Sequence, residues 1–284
     1  MGQLPPDPCC SEVGTCQTNP YDYTKHLIDV DAGTLTLGFL LLAGTVISVV
    51  PQMIKIIQKK SVHGVSFHML ILAAYNQWST VINYIMAQFS KLMACSISGK
   101  QCWANMISLY QALALFFCYF ILLHEYMYFE LKELGRKNKD VKSHLTQYIL
   151  FMGFFIATIP SAIIPGVNVG ACNSVYKVFA IFFVVIASTL SCLEWIPQIY
   201  KTYQIKGCGS FSIISMLIQC PGCAISLIVT ISSGNQWYTW LSWIVSFILE
   251  FILCYFLVYY HCKQKKQAKQ SESELSLEEQ LMTE

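Results

Sequence analysis

Pro51-Gln52-Met53-Ile54-Lys55-Ile56-Ile57-Gln58-Lys59-Lys60 and Pro197-Gln198-Ile199-Tyr200-Lys201-Thr202-Tyr203-Gln204-Ile205-Lys206 are two copies of one stretch. Aligned without a gap, Pro, Gln, Lys, Gln and Lys coincide, and farther on Ser66 falls opposite Ser212. Each copy closes an apolar run and opens a short basic loop. A repeat in matching surroundings indicates a chain built from two related units.

The chain around these copies has 284 residues, 55% of them apolar and 12% charged, against about 25% charged in soluble domains. Several runs of about 20 apolar residues are long enough to cross a hydrocarbon core about 30 Å thick. The expected fold is an all-α membrane protein with seven transmembrane helices, at residues 34–57, 66–89, 103–126, 145–165, 176–199, 211–232 and 237–260. Helices are expected because the runs lack the alternation of barrel strands, and lipid leaves no other way to satisfy the backbone. Met1 to Asp31 is polar and acidic, without the apolar core of a signal peptide, and the chain holds no Asn-x-Ser/Thr sequon. The net charge of +2 excludes little, but no basic, aromatic-interleaved patch suggests nucleic acid.

Lys and Arg set the orientation. The loops after the first, third and fifth spans and the tail carry 14 of the 18 basic residues, leaving Lys25, Lys91, Lys100 and Lys177 for the other side. The positive-inside rule then places the C-terminus in the cytosol and the N-terminus outside or in a lumen. Both Pro-Gln stretches fall at cytosolic helix ends, so the first three and last three spans run the same way. The predicted architecture is two parallel three-helix bundles joined by an inverting linker helix, 3+1+3. Its divisions are a lumenal segment 1–33, a first bundle 34–126, a loop, linker and lumenal loop 127–175, a second bundle 176–261 and a disordered cytosolic tail 262–284.

The motifs carry a resemblance. Pro51-Gln52 with Lys60-Ser61-Val62-His63-Gly64-Val65-Ser66 is similar to the PQ…KSxxGxS pattern of the PQ-loop family. Glu194-Trp195-Ile196-Pro197-Gln198 with Lys206-Gly207-Cys208-Gly209-Ser210-Phe211-Ser212 resembles its second form. That family includes cystinosin, the lysosomal cationic amino-acid exporters and, more distantly, the SWEET sugar carriers. The resemblance implies an alternating-access carrier, with Pro51, Gln52, Pro197 and Gln198 acting as hinge and gate. It also implies that an acidic residue of the last helix couples transport to protons.

The residues support parts of that expectation independently. Proline lacks an N–H and clashes with the preceding turn, so a kink is expected at Pro51 and at Pro197; the plainer alternative is a helix stop at the membrane surface. Glu250 lies mid-span, where a carboxylate costs on the order of 3 kcal/mol, so it should face a cavity or hold a proton. It is the proton-coupling candidate, the alternative being a neutral acid buried for packing. Glu194 stands one turn before Pro197, opposite Ser48 in the repeat, and is a partner for a lysine or a substrate amine, or an interfacial carboxylate. Among amides within spans, Asn76 and Gln219 are placed for substrate and Gln111 is a further candidate, though any of them can serve as interhelical glue. Gln219 precedes Cys220-Pro221-Gly222-Cys223, where a helix break is predicted, and Tyr75, Trp78 and Trp243 are positioned to line such a site.

Cys220 and Cys223 have redox spacing but lie in an apolar span without the surrounding fold that such chemistry uses. Six cysteines, Cys9, Cys10, Cys16, Cys95, Cys102 and Cys172, fall on the lumenal side as disulfide candidates, Cys95–Cys102 closing the shortest loop. His63 and His68 lack a third ligand, so no metal is expected, and no cofactor. The function that follows is transport of a small polar solute, an amino acid or related metabolite, with proton coupling, in a lysosomal, vacuolar or other endomembrane. The partners expected are that substrate, protons and the bilayer; nothing sets an oligomeric state. The alternative is a non-transporting membrane receptor or cofactor of related fold, in the manner of cargo receptors or of the factor for dolichol-linked sugar use. No nucleophile–base set or paired carboxylates suggest an enzyme.

Overall fold

The computed structural model describes residues 32–95, 102, 104–135, 138–169, 174–207, 211–232 and 237–281. These residues form helices α1 (Ala32–Lys59), α2 (Phe67–Ala87), α3 (Phe89–Cys95), α4 (Ile107–Leu134), α5 (Lys139–Val169), α6 (Ser174–Leu193), α7 (Trp195–Ile205), α8 (Ile213–Ser232) and α9 (Trp237–Leu281). Among the described residues, five stretches are long and apolar enough to cross a membrane: Gly38–Lys59, Leu109–Leu134, Lys139–Asn168, Val178–Ile205 and Ile244–Gln267. Their outward faces carry exposed Phe39, Leu40, Ile149, Leu150, Phe182 and Phe251. So much apolar surface on view has no place in water and matches a lipid surround.

α2 falls short of that hydropathy for a physical reason. It is the innermost helix, packed on α4, α5, α6 and α7, and it buries Asn76 and Ser79 beside Leu70, Ala73, Ala74 and Ile82. A helix wrapped in protein can carry polar groups that a lipid-facing one cannot.

The packing forms a ring. α4 packs on both α1 and α2; α9 packs on α8 and on α6 and α7; and the ring closes through α2 against α6 and α1 against α8. Exchanging the two halves maps each contact onto another, so the duplication seen in the chain is a pseudo-twofold in space. α5 lies outside the ring against α2, α4 and α6. An aromatic seam holds it there, with Trp78 against Phe155 at 4.4 Å and Phe116 against Phe155 at 5.5 Å. Trp78 also donates its indole N–H to Thr158 Oγ1 at 2.7 Å. At the other end of α5, His144 Nδ1 meets Glu130 Oε1 at 2.8 Å and its ring stacks on Phe67 at 4.0 Å.

Three expectations change. α8 runs as one helix from Ile213 to Ser232 with Pro221 inside it, so the predicted break at Pro221-Gly222 is absent. The missing N–H frees only the carbonyl one turn back, at Leu217, and Gly222 adds no side chain to crowd the bend. α1 is likewise helical through Pro51 and on to Lys59, so the alternative reading of a helix stop at Pro51 does not hold. The tail expected to be disordered continues α9 to Leu281, as its Lys, Gln, Ala and Glu content favours.

Candidate functional site

The two Pro-Gln stretches meet at one end of the molecule, and each reaches into the other repeat. Gln198 is fully buried. Its Oε1 accepts from the Ser66 N–H at 2.7 Å and its Nε2 donates to Gly64 O at 2.9 Å. Gln52 answers in kind: its Oε1 accepts from the Ser212 N–H. Ser66 caps α2 by accepting from the Met69 N–H at 3.4 Å, and Ser212 accepts from the Ser215 N–H at 3.3 Å at the start of α8. The serines therefore start the second helix of each repeat while presenting their own N–H groups to the glutamine of the opposite repeat. Both first helices also end alike, with Lys60 and Lys206 in the left-handed region at φ 49°. Two further bonds tie α1 to the second repeat: Lys55 Nζ donates to Phe211 O, and Ser215 Oγ donates to Ser48 O.

The second repeat departs from the first at Glu194. α6 ends at Leu193, one residue before it, and α7 begins at Trp195, one residue after. Glu194 itself keeps helical dihedrals and its N–H reaches Leu190 O at 2.9 Å, so the chain runs on as one span. What lapses is the bond that Pro197, without an N–H, cannot give the Leu193 carbonyl. Glu194 sits at this turn, buried, and its Oε2 accepts from Asn76 Nδ2 at 3.0 Å across the α2–α6 contact.

Around that pair the ring interior is polar. Gln219 Nε2, from α8, donates to Tyr119 Oη, from α4, at 3.1 Å. Glu250 of α9 is buried, and it lies within electrostatic reach of both Glu194 and Tyr119. Ser191 and Ser246 hydroxyls meet at 2.8 Å, fastening α6 to α9 close by. Glu250 Oε2 and, next along the chain from Glu194, Trp195 Nε1 are among the buried side-chain polar atoms of the described residues that have no hydrogen-bond partner. An orphaned acceptor or donor costs free energy in a dry interior.

Of the candidates read from the sequence, Asn76, Glu194, Gln219 and Glu250 come together here. Tyr75 does not; its ring lies against Phe151 at 4.9 Å and Phe154 at 5.2 Å, toward α5. Gln111 donates to Gly38 O at 2.7 Å and joins α4 to α1. The Trp243 side chain lies outside the described ones, as do Cys9, Cys10, Cys16 and Cys172. Cys95 and Cys102 are joined by a disulfide, Cα–Cα 5.1 Å. Sequence reasoning missed Tyr119 as a site residue, and it missed the Glu130–His144 pair. The tripeptide Cys118-Tyr119-Phe120 does echo Cys254-Tyr255-Phe256, but Tyr119 is 4% exposed and Tyr255 61%. Among the described residues no group of three or more His, Cys, Asp or Glu is gathered for a metal.

The PQ loop repeat family matches the chain twice, over residues 34–93 and 179–239. The chain is also similar to an uncharacterized protein of Schizosaccharomyces pombe, 26% identical over 264 residues and covering 84% of each chain. No solved structure matches it.

Proposed function

The chain carries the PQ-loop repeat twice, and on that premise we propose that it is an alternating-access carrier of a small polar solute, an amino acid or related metabolite, coupled to protons. Its seven spans form two parallel three-helix bundles with α5 as the linker. The N-terminus faces a lumen, the C-terminus the cytosol, and the membrane is lysosomal, vacuolar or another endomembrane. The observation that carries this reading is the polar cluster where the two repeats meet, with Asn76, Glu194, Tyr119 and Glu250 buried and Gln219 half-buried. Polar groups are expensive in a membrane interior and persist where they handle a solute or a proton.

In the mechanism, the crossed glutamines hold the Pro-Gln end shut. Opening it means that Gln52 releases the Ser212 N–H and Gln198 releases Gly64 and Ser66. The movement pivots at the turn where Pro197 leaves the Leu193 carbonyl without its helical bond, and Glu194 sits in that turn. Solute or proton at Glu194 therefore acts directly on the joint that must move. Glu250 is the proton carrier: protonated, it rests in the apolar bundle at low cost; ionised, it needs a partner, and a solute amine supplies one.

The test is counterflow and proton-driven uptake in proteoliposomes against a panel of amino acids and related metabolites. The expected result is saturable exchange of one chemical class, abolished in Glu194→Gln. Absence of exchange for every solute, with the protein folded, would replace transport by the receptor reading.

A further inference from the structure

A second site lies outside the ring interior, on the outward face of α4. Phe120, Ile121, His124, Glu125, Tyr128 and Phe129 line a groove of about 420 Å³ there. They recur every four residues and so share one face of the helix. The groove lies toward the Pro-Gln end, because Glu133, farther along α4, accepts from Ser61 Oγ at 3.2 Å just past the end of α1. Glu125 is the one acid in this largely aromatic lining. Its Oε2 is buried without a hydrogen-bond partner, and among the described residues no positive side chain stands against it. Its neighbour His124 turns to α5 instead, with Nδ1 at 2.7 Å from Tyr148 Oη. A buried acceptor left unpaired costs free energy, and the donor that offsets this best is a cation carrying N–H groups.

The surroundings indicate what carries that cation. Phe117, Ile121 and Tyr128 are exposed, so the groove faces the apolar surround and not the ring interior. Tyr126, Tyr128 and Tyr148 stand near the level of Glu125, and Glu130, Lys132 and Glu133 follow before α4 ends at Leu134. Tyrosines in such a belt mark the boundary between acyl chains and headgroups. A lipid at that level brings its headgroup to Glu125 while its chains lie along Phe117 and Ile121. Aromatic faces attract cations, and the Tyr128 and Phe129 rings, edge to face with centroids 5.2 Å apart, flank the carboxylate. A quaternary ammonium has no N–H and leaves Oε2 orphaned, whereas a primary ammonium donates to it.

We propose that this groove binds a membrane lipid whose headgroup ends in a primary ammonium, with Glu125 accepting its N–H and the aromatic rings beside it. The groove borders the α4–α5 seam, which Phe120 against Phe155 at 6.1 Å and the His124–Tyr148 bond hold together. The lipid therefore stands against the contact on which the linker helix is mounted. Its binding is separate from solute transport and is measured without it.

The full-length protein, purified in detergent, is titrated with phosphatidylethanolamine or phosphatidylcholine of identical chains, and bound lipid is counted by native mass spectrometry. Both lipids carry the phosphate, so the comparison reads the nitrogen. The expected result is preference for phosphatidylethanolamine, reduced about fivefold by Glu125→Gln, as far as a charge-assisted hydrogen bond exceeds a neutral one. Tyr128→Leu should weaken it too, and Glu133→Gln, an acid on the same helix outside the groove, should bind like wild type. Thermal midpoints report whether the variants are folded, and Tyr128→Leu decides the matter if Glu125→Gln is not. Equal retention of the two lipids overturns the proposal. So does equal loss in Glu125→Gln and Glu133→Gln, or an unchanged preference in folded Glu125→Gln. Soluble phosphoethanolamine should not compete; displacement of the lipid by it would make the ligand a soluble amine and overturn the membrane source.

Discussion

At the scale of single residues, the buried amides and carboxylates have separable jobs. Gln198 satisfies a backbone N–H and a backbone C=O of the other repeat, so Gln198→Ala orphans both. An unsatisfied buried group costs about 1–3 kcal/mol. Thermal unfolding of Gln198→Ala should show a clear drop in midpoint, and Gln198→Glu should recover part of it by keeping the bond to Ser66. Glu250→Gln makes a different prediction. Uptake that rises with an inward proton gradient should lose that rise, while exchange of solute for solute continues. Retained pH-driven uptake would remove Glu250 from the coupling role. Asn76, Glu194, Gln219 and Glu250 were legible in the sequence because a polar residue in an apolar run has a cost that needs a reason. Tyr119 was not, because tyrosine is at home in such runs and only the phase of its helix decides which way it points. Glu130 and His144 were hidden for another reason: they sit at helix ends, where charge is ordinary, and only folding brings them together.

At the scale of elements, the prolines are unequal. Pro51 lies inside α1, whereas Pro197 follows a one-residue turn at Glu194 between α6 and α7. An interior proline costs a helix about 3 kcal/mol, so Pro197→Ala should restore the helical bond to the Leu193 carbonyl. Amide exchange around residues 194–198 should slow markedly and transport should slow with it. Pro51→Ala should change both much less; equal effects of the two would show that the joint is elsewhere. The caps should behave symmetrically. Ser66→Ala and Ser212→Ala each remove the acceptor that starts a second helix, at about 1 kcal/mol, read as similar drops in thermal midpoint. The sequence marked both serines by their register with the Pro-Gln stretches. It expected a kink at Pro197 and also a break at Pro221 that α8 does not show, because composition shows where a hydrogen bond is lost and not whether the neighbours absorb the loss.

At the scale of the whole molecule, the ring of helices predicts a lock. Ser215 Oγ reaches Ser48 O where α8 meets α1, so paired cysteines at Ser48 and Ser215 should crosslink on oxidation. The oxidised protein should not transport, and reductant should restore it; transport by the fully crosslinked protein would mean that this contact need not open. Two related halves could be read from the chain because their motif is duplicated. That the halves clasp each other crosswise could not, since hydrogen bonds between Gln52 and Ser212 or Gln198 and Ser66 span distances along the chain that no local pattern records. This crossing has a consequence for ancestry. Neither half completes its own clasp, so a progenitor with one repeat would have needed a second copy of itself, the glutamine of each copy meeting the serine of the other. Fusion turned that pairing between molecules into one within a molecule, after which each half was free to vary, and only one acquired Glu194. The two halves expressed as separate polypeptides, cut between Gly135 and Asn138, should still find each other and copurify.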